Sequence, residues 1–141
     1  MKPSQACIDF IKEFEGFRAK AYLCSAGVPS VGYGHTEYVD LGDEVTEEEA
    51  EELLRQDVQE AADAIDDLVE VELTQNQYDA IASFVYNIGR EAFRNSTLLR
   101  LINADCIDAA AAQFGRWNKA GGVVVAGLTR RREREREMFE S

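Results

Sequence analysis

A stripe of apolar side chains between residues 50 and 69 constrains this chain more than any other feature. Ala50, Leu53, Leu54, Val58, Ala61, Ala62, Ile65, Leu68 and Val69 recur close to a 3.6-residue period. Just ahead stands Thr46-Glu47-Glu48-Glu49, a capping-box pattern in which Thr46 and Glu49 satisfy each other's backbone N–H groups. Together they predict one helix over about 46–69. Such a helix runs roughly 30 Å, long enough to link two lobes. A second box, Thr74-Gln75-Asn76-Gln77, predicts another helix carrying Ile81, Phe84, Val85 and Ile88 and ended by Gly89. Ser4 caps a first helix that places Cys7, Phe10, Ile11 and Phe14 on one stripe and ends at Gly16. Glu15 therefore sits in a last helical turn, at an edge.

Between these helices the texture changes. Glycines at 27, 32 and 34, Pro29, and alternating aromatic and β-branched residues predict a small twisted antiparallel sheet. Its strands are expected at about 17–23, 28–34 and 36–39. Further helices are expected at about 96–103, 105–117 and 128–139, with 120–127 as a loop. The fold class is α+β: a small N-terminal sheet lobe (about 16–45), a linking helix (about 46–69) and a helical lobe (about 73–141, with helix 4–15). A length of 141 residues favours a single domain.

Charge and cysteine usage narrow the function. Fifteen basic against 27 acidic residues give a formal net charge of -12. That argues against nucleic acid as a partner, because phosphate binding rests on clustered Lys and Arg. The one basic run, 130–136, alternates with glutamates. An acidic surface also repels anionic polymers, which weighs against a polyanionic substrate. Three widely spaced cysteines, Cys7, Cys24 and Cys106, form neither a disulfide framework nor a zinc pattern. With a single histidine, no metal is expected, and no cofactor. No apolar stretch is long enough for a signal peptide or a stable membrane span.

The remaining motifs cluster. Phe14-Glu15-Gly16-Phe17-Arg18 is followed by Ala21-Tyr22-Leu23-Cys24 and by the run from Gly27 through Ser30, Tyr33, Gly34 and His35 to Thr36. Leu73 to Ala80, Ser83 to Gly89, Ser96-Thr97-Leu98, Arg116-Trp117 and Gly127 to Arg132 continue the series. In this order, over essentially the whole chain, they resemble the phage-type lysozymes, the endolysins of glycoside hydrolase family 24. The resemblance implies a lysozyme-like fold. It also implies a muramidase that hydrolyses β-1,4 bonds between N-acetylmuramic acid and N-acetylglucosamine in bacterial peptidoglycan.

The family's catalytic set is a Glu, an Asp or Cys nine residues on, and a Thr six beyond, which carries over to Glu15, Cys24 and Ser30. Glycoside hydrolysis needs a carboxylic acid to protonate the leaving oxygen and a nucleophile on the opposite face. Glu15 takes the acid role, which requires burial enough to keep its proton near neutrality. Cys24 replaces the family's acidic partner, and Ser30 keeps a hydroxyl in place of threonine. A free thiol is mostly protonated at neutral pH, so Cys24 is a weak general base. It is read as positioning the attacking water with Ser30, with nucleophile and half-buried structural residue as the other readings.

The resemblance also places His35 beside the cleft, paired with an acidic residue on the next helix; Asp63, Asp66 and Asp67 are the candidates. It places Arg130 near Glu15, with Arg131 or Arg132 able to take that role. Tyr33 and Trp117 either line the sugar cleft or belong to the core. Gly34 and Asn87 complete the supporting set, Asn87 as a hydrogen-bond donor to sugar hydroxyls or N-acetyl groups. The rival activities are a lytic transglycosylase, which manages with Glu15 alone, and an inactive glycan-binding module. The expected state is a monomer in the host cytoplasm that reaches the wall through a holin-type pore.

Overall fold

The computed structural model describes residues 1–141. Helix α1 spans Gln5–Glu15. Ser4 caps it by accepting from Cys7 N–H at 3.3 Å, while Ser4's own hydroxyl and N–H reach the buried carboxylate of Asp79. Cys7, Ile8, Phe10 and Ile11 are its buried face. Gly16, at φ 71°, ends the helix and returns its N–H to Lys12 C=O. Glu15 is thereby fixed in the last turn.

Strands β1 (Arg18–Leu23) and β2 (Pro29–Gly32) pair antiparallel, Tyr22 opposite Ser30 and Leu23 opposite Pro29. The expected third strand at 36–39 does not form. Beyond Gly32 only two isolated bridges continue the ladder, Val31 with His35 and Lys20 with Glu44. The reason is local: Gly32, Gly34 and Tyr38 all take positive φ, and each turns the chain out of extended geometry.

Helix α2 (Glu47–Leu68) is opened by the predicted box, with Glu49 N–H donating to Thr46 Oγ1 at 3.1 Å and Thr46 N–H to Glu49 Oε1 at 3.0 Å. It buries Ala50, Leu54, Val58, Ala61, Ala62, Ala64 and Ile65. The sheet docks onto its start. A Cβ added at Gly32 would lie 2.9 Å from Ala50 Cβ, so only glycine allows this approach.

Helix α3 (Gln75–Ile88) carries the second box, and every residue from 78 to 85 is buried. A helix apolar nearly all round belongs at the centre of a body. Helix α4 (Arg90–Arg94), which the sequence reading did not anticipate, follows Gly89 at once. Helix α5 (Thr97–Asn103) matches expectation. The helix expected over 105–117 is broken into α6 (Ile107–Ala111) and a 3₁₀ turn (Phe114–Arg116). The break turns Phe114 and Trp117 inward, where each meets the Phe84 ring edge-on, at 5.3 and 5.6 Å. The expected loop at 120–127 holds a miniature hairpin, β3 (Lys119–Ala120) and β4 (Val123–Val124). Gly121 and Gly122 both take positive φ, the geometry of a two-residue hairpin turn. Helix α7 (Ala126–Glu140) packs along α3 and closes the core through Phe139, 5.4 Å from Phe114. No helix is long and apolar enough to cross a membrane.

Candidate active site

A cleft of about 510 Å³ opens between α1, the turns after β2, and helices α2 and α3. Glu15, Gly34 and Asn87 line it, as do Asp57, Tyr86 and Arg90. Glu15 enters because Gly16 terminates α1 there; Asn87 enters from the last turn of α3, before Gly89 terminates it.

The Glu15 side chain keeps 23% of its surface exposed and meets Arg131 Nη1 at 3.5 Å. Arg130 makes no such contact. Its guanidinium lies over the Phe14 ring, 5.4 Å from the centroid. The role proposed for Arg130 therefore falls to Arg131, because α7 turns Arg131 inward, where it is buried, and Arg130 outward. Tyr86 faces the same space, with its hydroxyl donating to Tyr33 C=O at 3.4 Å. Burial pushes its phenol up, and the nearby Glu15 and Asp57 charges add to the shift, so Tyr86 stays a neutral donor.

His35 is buried behind the cleft and its Nδ1 lies 2.9 Å from Asp57. Asp57 replaces all three expected partners. Asp63 instead accepts from Gln59, Asp66 from Tyr78 and Asp67 from Arg90. The pairing ties the sheet lobe to the middle of α2. Tyr33 is buried against Phe17, ring centroids 5.6 Å apart, and does not line the cleft; its carbonyl accepts from the Tyr86 hydroxyl. Trp117 is half-buried in the aromatic core against Phe84 and does not line the cleft.

Cys24 and Ser30 sit in the β1–β2 hairpin, outside the residues that line this cleft. Cys24 N–H donates to Val28 C=O at 3.0 Å and Gly27 N–H returns to Cys24 C=O at 2.8 Å, which closes the turn. Ser30 is buried. Backbone groups of Val28 and then Ala26, followed by the Ser30 hydroxyl, favour the thiolate and pull the Cys24 thiol down from its ordinary value. Cys7 behaves oppositely: burial, then the Asp79 charge, pushes its thiol up to about 12.

The sequence reading offered Arg131 and Arg132 as alternatives to Arg130 but missed the carboxylate that holds both, Glu135. Arg131, Arg132 and Glu135 are all buried on the inner face of α7. The signal was present, since Arg131–Glu135 and Arg132–Glu135 fall at helical ion-pair spacings. An alternating basic and acidic run reads as a solvated face, which hid Glu135.

Comparison with known proteins gives the same direction. The profile of the family described as Phage lysozyme matches residues 12–135. The endolysin of Salmonella phage P22 is 47% identical over all of this chain and 99% of its own length. The endolysin of Bacillus phage B103 is 48% identical, and the chain spans about half of it, 54%. A P22 lysozyme mutant superposes with a TM-score of 0.93 at 46% identity, covering 100% of this chain and 99% of that one. The muramidase domain of SpmX from Asticaccaulis excentricus gives 0.94 at 41% identity, covering 99% and 98%. The α+β architecture is thus lysozyme-like, and the chain belongs to the phage lysozyme family of glycoside hydrolases.

Proposed function

We propose that this chain is a single-domain endolysin muramidase that hydrolyses the β-1,4 bond between N-acetylmuramic acid and N-acetylglucosamine, with Glu15 as general acid. The observation that carries this is Glu15 itself: a helix-terminal carboxyl lining a cleft, held from behind by a buried guanidinium. Protonation of the leaving oxygen needs such a positioned acid. Tyr86 and Asn87 add hydrogen-bonding groups along the same wall.

The opposite partner in this reading is a water held by Cys24 and Ser30. The lowered thiol gives that position a better hydrogen-bond acceptor than a free cysteine supplies. Water then attacks the anomeric carbon from the face opposite Glu15 as the glycosidic C–O bond breaks and the leaving oxygen takes the Glu15 proton; the attacking water's proton passes to solvent, which later reprotonates Glu15, and the configuration inverts. His35 acts through Asp57 by holding the sheet lobe on α2. The protein works as a monomer on glycan strands, and reaches them from the host cytoplasm through a holin-type pore.

Analysis of the released muropeptides by mass spectrometry tests the reaction. Reducing ends are expected. Anhydro-muramyl ends would mean a lytic transglycosylase that uses Glu15 alone. Peptidoglycan that is bound but never cut would leave a glycan-binding module.

A further inference from the structure

We propose that Glu135 is a positioning residue for this reaction, its two carboxylate oxygens holding the two arginines that set Glu15 and Asn87 in the cleft. The inference rests on the reading of Glu15 as the proton donor.

Glu135 lies on α7 facing α3 and is fully buried. A bare carboxylate there would be very costly, so its partners are obligatory. Oε2 accepts from the Ser83 hydroxyl at 2.6 Å and from Arg131 Nε at 3.3 Å, and Oε1 pairs with Arg132 Nη1. A guanidinium is a rigid planar fork of donors. Fixing one edge fixes the direction of the others.

Arg131, so held, turns Nη2 to the Ser83 carbonyl at 3.3 Å and Nη1 to Glu15 at 3.5 Å. Arg131 is thus shared between Glu135, Ser83 and Glu15, with Glu135 fixing the edge from which Nη1 reaches the acid. Arg132 turns Nε to Trp117 C=O at 2.9 Å and Nη2 to Asn87 Oδ1. A guanidinium can only donate, so it occupies the oxygen of Asn87. The amide NH₂ is left for the cleft, as a donor suited to a carbonyl or hydroxyl oxygen of the glycan. Glu15 comes from α1 and Asn87 from α3. Only the carboxylate on α7 is common to both.

The test compares Glu135→Gln, Arg131→Ala and the double variant, with kcat and KM measured on soluble peptidoglycan strands below each variant's melting temperature. Glu135→Gln is expected to lower kcat roughly tenfold or more, as displaced catalytic groups do, and to raise KM through Asn87. Adding Arg131→Ala should cost less than about twofold further, because an unheld Arg131 no longer serves Glu15. A folded Glu135→Gln with wild-type kcat overturns the proposal, and so do losses that simply multiply. If Glu135→Gln does not fold, Ser83→Ala decides. That change removes a donor to Glu135 and an acceptor from Arg131 without altering charge. A kcat lowered about threefold at unchanged melting temperature supports the proposal; wild-type kcat overturns it. Glu15→Gln is run in parallel. Should it stay active, the reading of Glu15 fails instead, a result separate from any effect at Glu135.

Discussion

The helical body and the sheet lobe hold their candidate site residues by different means. Glu15 and Asn87 stand on helix ends and are fixed by side chains, through a buried set of two arginines and one glutamate wedged between α3 and α7. Cys24 and Ser30 stand on a short hairpin and are fixed by backbone. The turn is closed by main-chain hydrogen bonds, the pairing register slips between Arg18 and Tyr22, and Leu23 and Val28 lie open to solvent. Charge buried in a packed body tolerates little change, since removing one partner strands the other. A turn tolerates side-chain changes and fails when its backbone is disturbed. The body therefore sets Glu15 and Asn87 by buried charge, and the hairpin sets Cys24 and Ser30 by its backbone.

Three measurements break or sharpen that division. Phe114→Ala empties the aromatic cluster where α3, the 3₁₀ turn and α7 meet. It should cost about 3–5 kcal/mol in chemical denaturation, the range for a large core aromatic. A loss under about 1 kcal/mol would mean that the body is not the rigid half.

Gly32→Ala should cost less, about 1–3 kcal/mol, from its positive φ and from a Cβ pressed on Ala50. Its main effect should be on activity, because it lifts the hairpin off α2. A variant with wild-type activity would detach the sheet's docking from function.

Cys24 should show the smallest effect of the three, a chemical one. Its thiol is pulled down by the turn, so its thiolate appears at lower pH than that of a free cysteine. Alkylation of the Cys24 peptide, followed by mass spectrometry, should therefore rise through a lower pH than for free cysteine. Cys7, pushed up to about 12 and buried, should remain unlabelled in the native protein. Equal labelling of Cys24 and Cys7 would mean that the turn does not hold the thiol as described.

The same division explains what was legible in the sequence. Both capping boxes formed as written, because a cap is a local device whose partners lie three residues apart. The linking helix and the strand from 18 to 23 followed from periodicity. Residues 33–39 misled because alternation of aromatic and small residues looks like a strand whether or not a neighbour pairs with it. The Gly121-Gly122 turn was legible and was read too coarsely, as a loop. The partner of His35 needed the rotation of α2 about its axis. Four aspartates of that helix, at 57, 63, 66 and 67, carry the same chemistry, and only packing selects Asp57. Arg131 was separable from Arg130 only once α7 had a buried face.

The central claim is that one carboxyl, held at the end of α1 against Arg131, carries the chemistry. Its most direct measurement is clearing of purified sacculi by Glu15→Gln beside the unaltered protein at matched folded concentration. Loss of roughly a thousandfold or more in rate, with an unchanged melting temperature, is the predicted result, general acid catalysis being worth about that much. Clearing within about tenfold of the unaltered protein would contradict it.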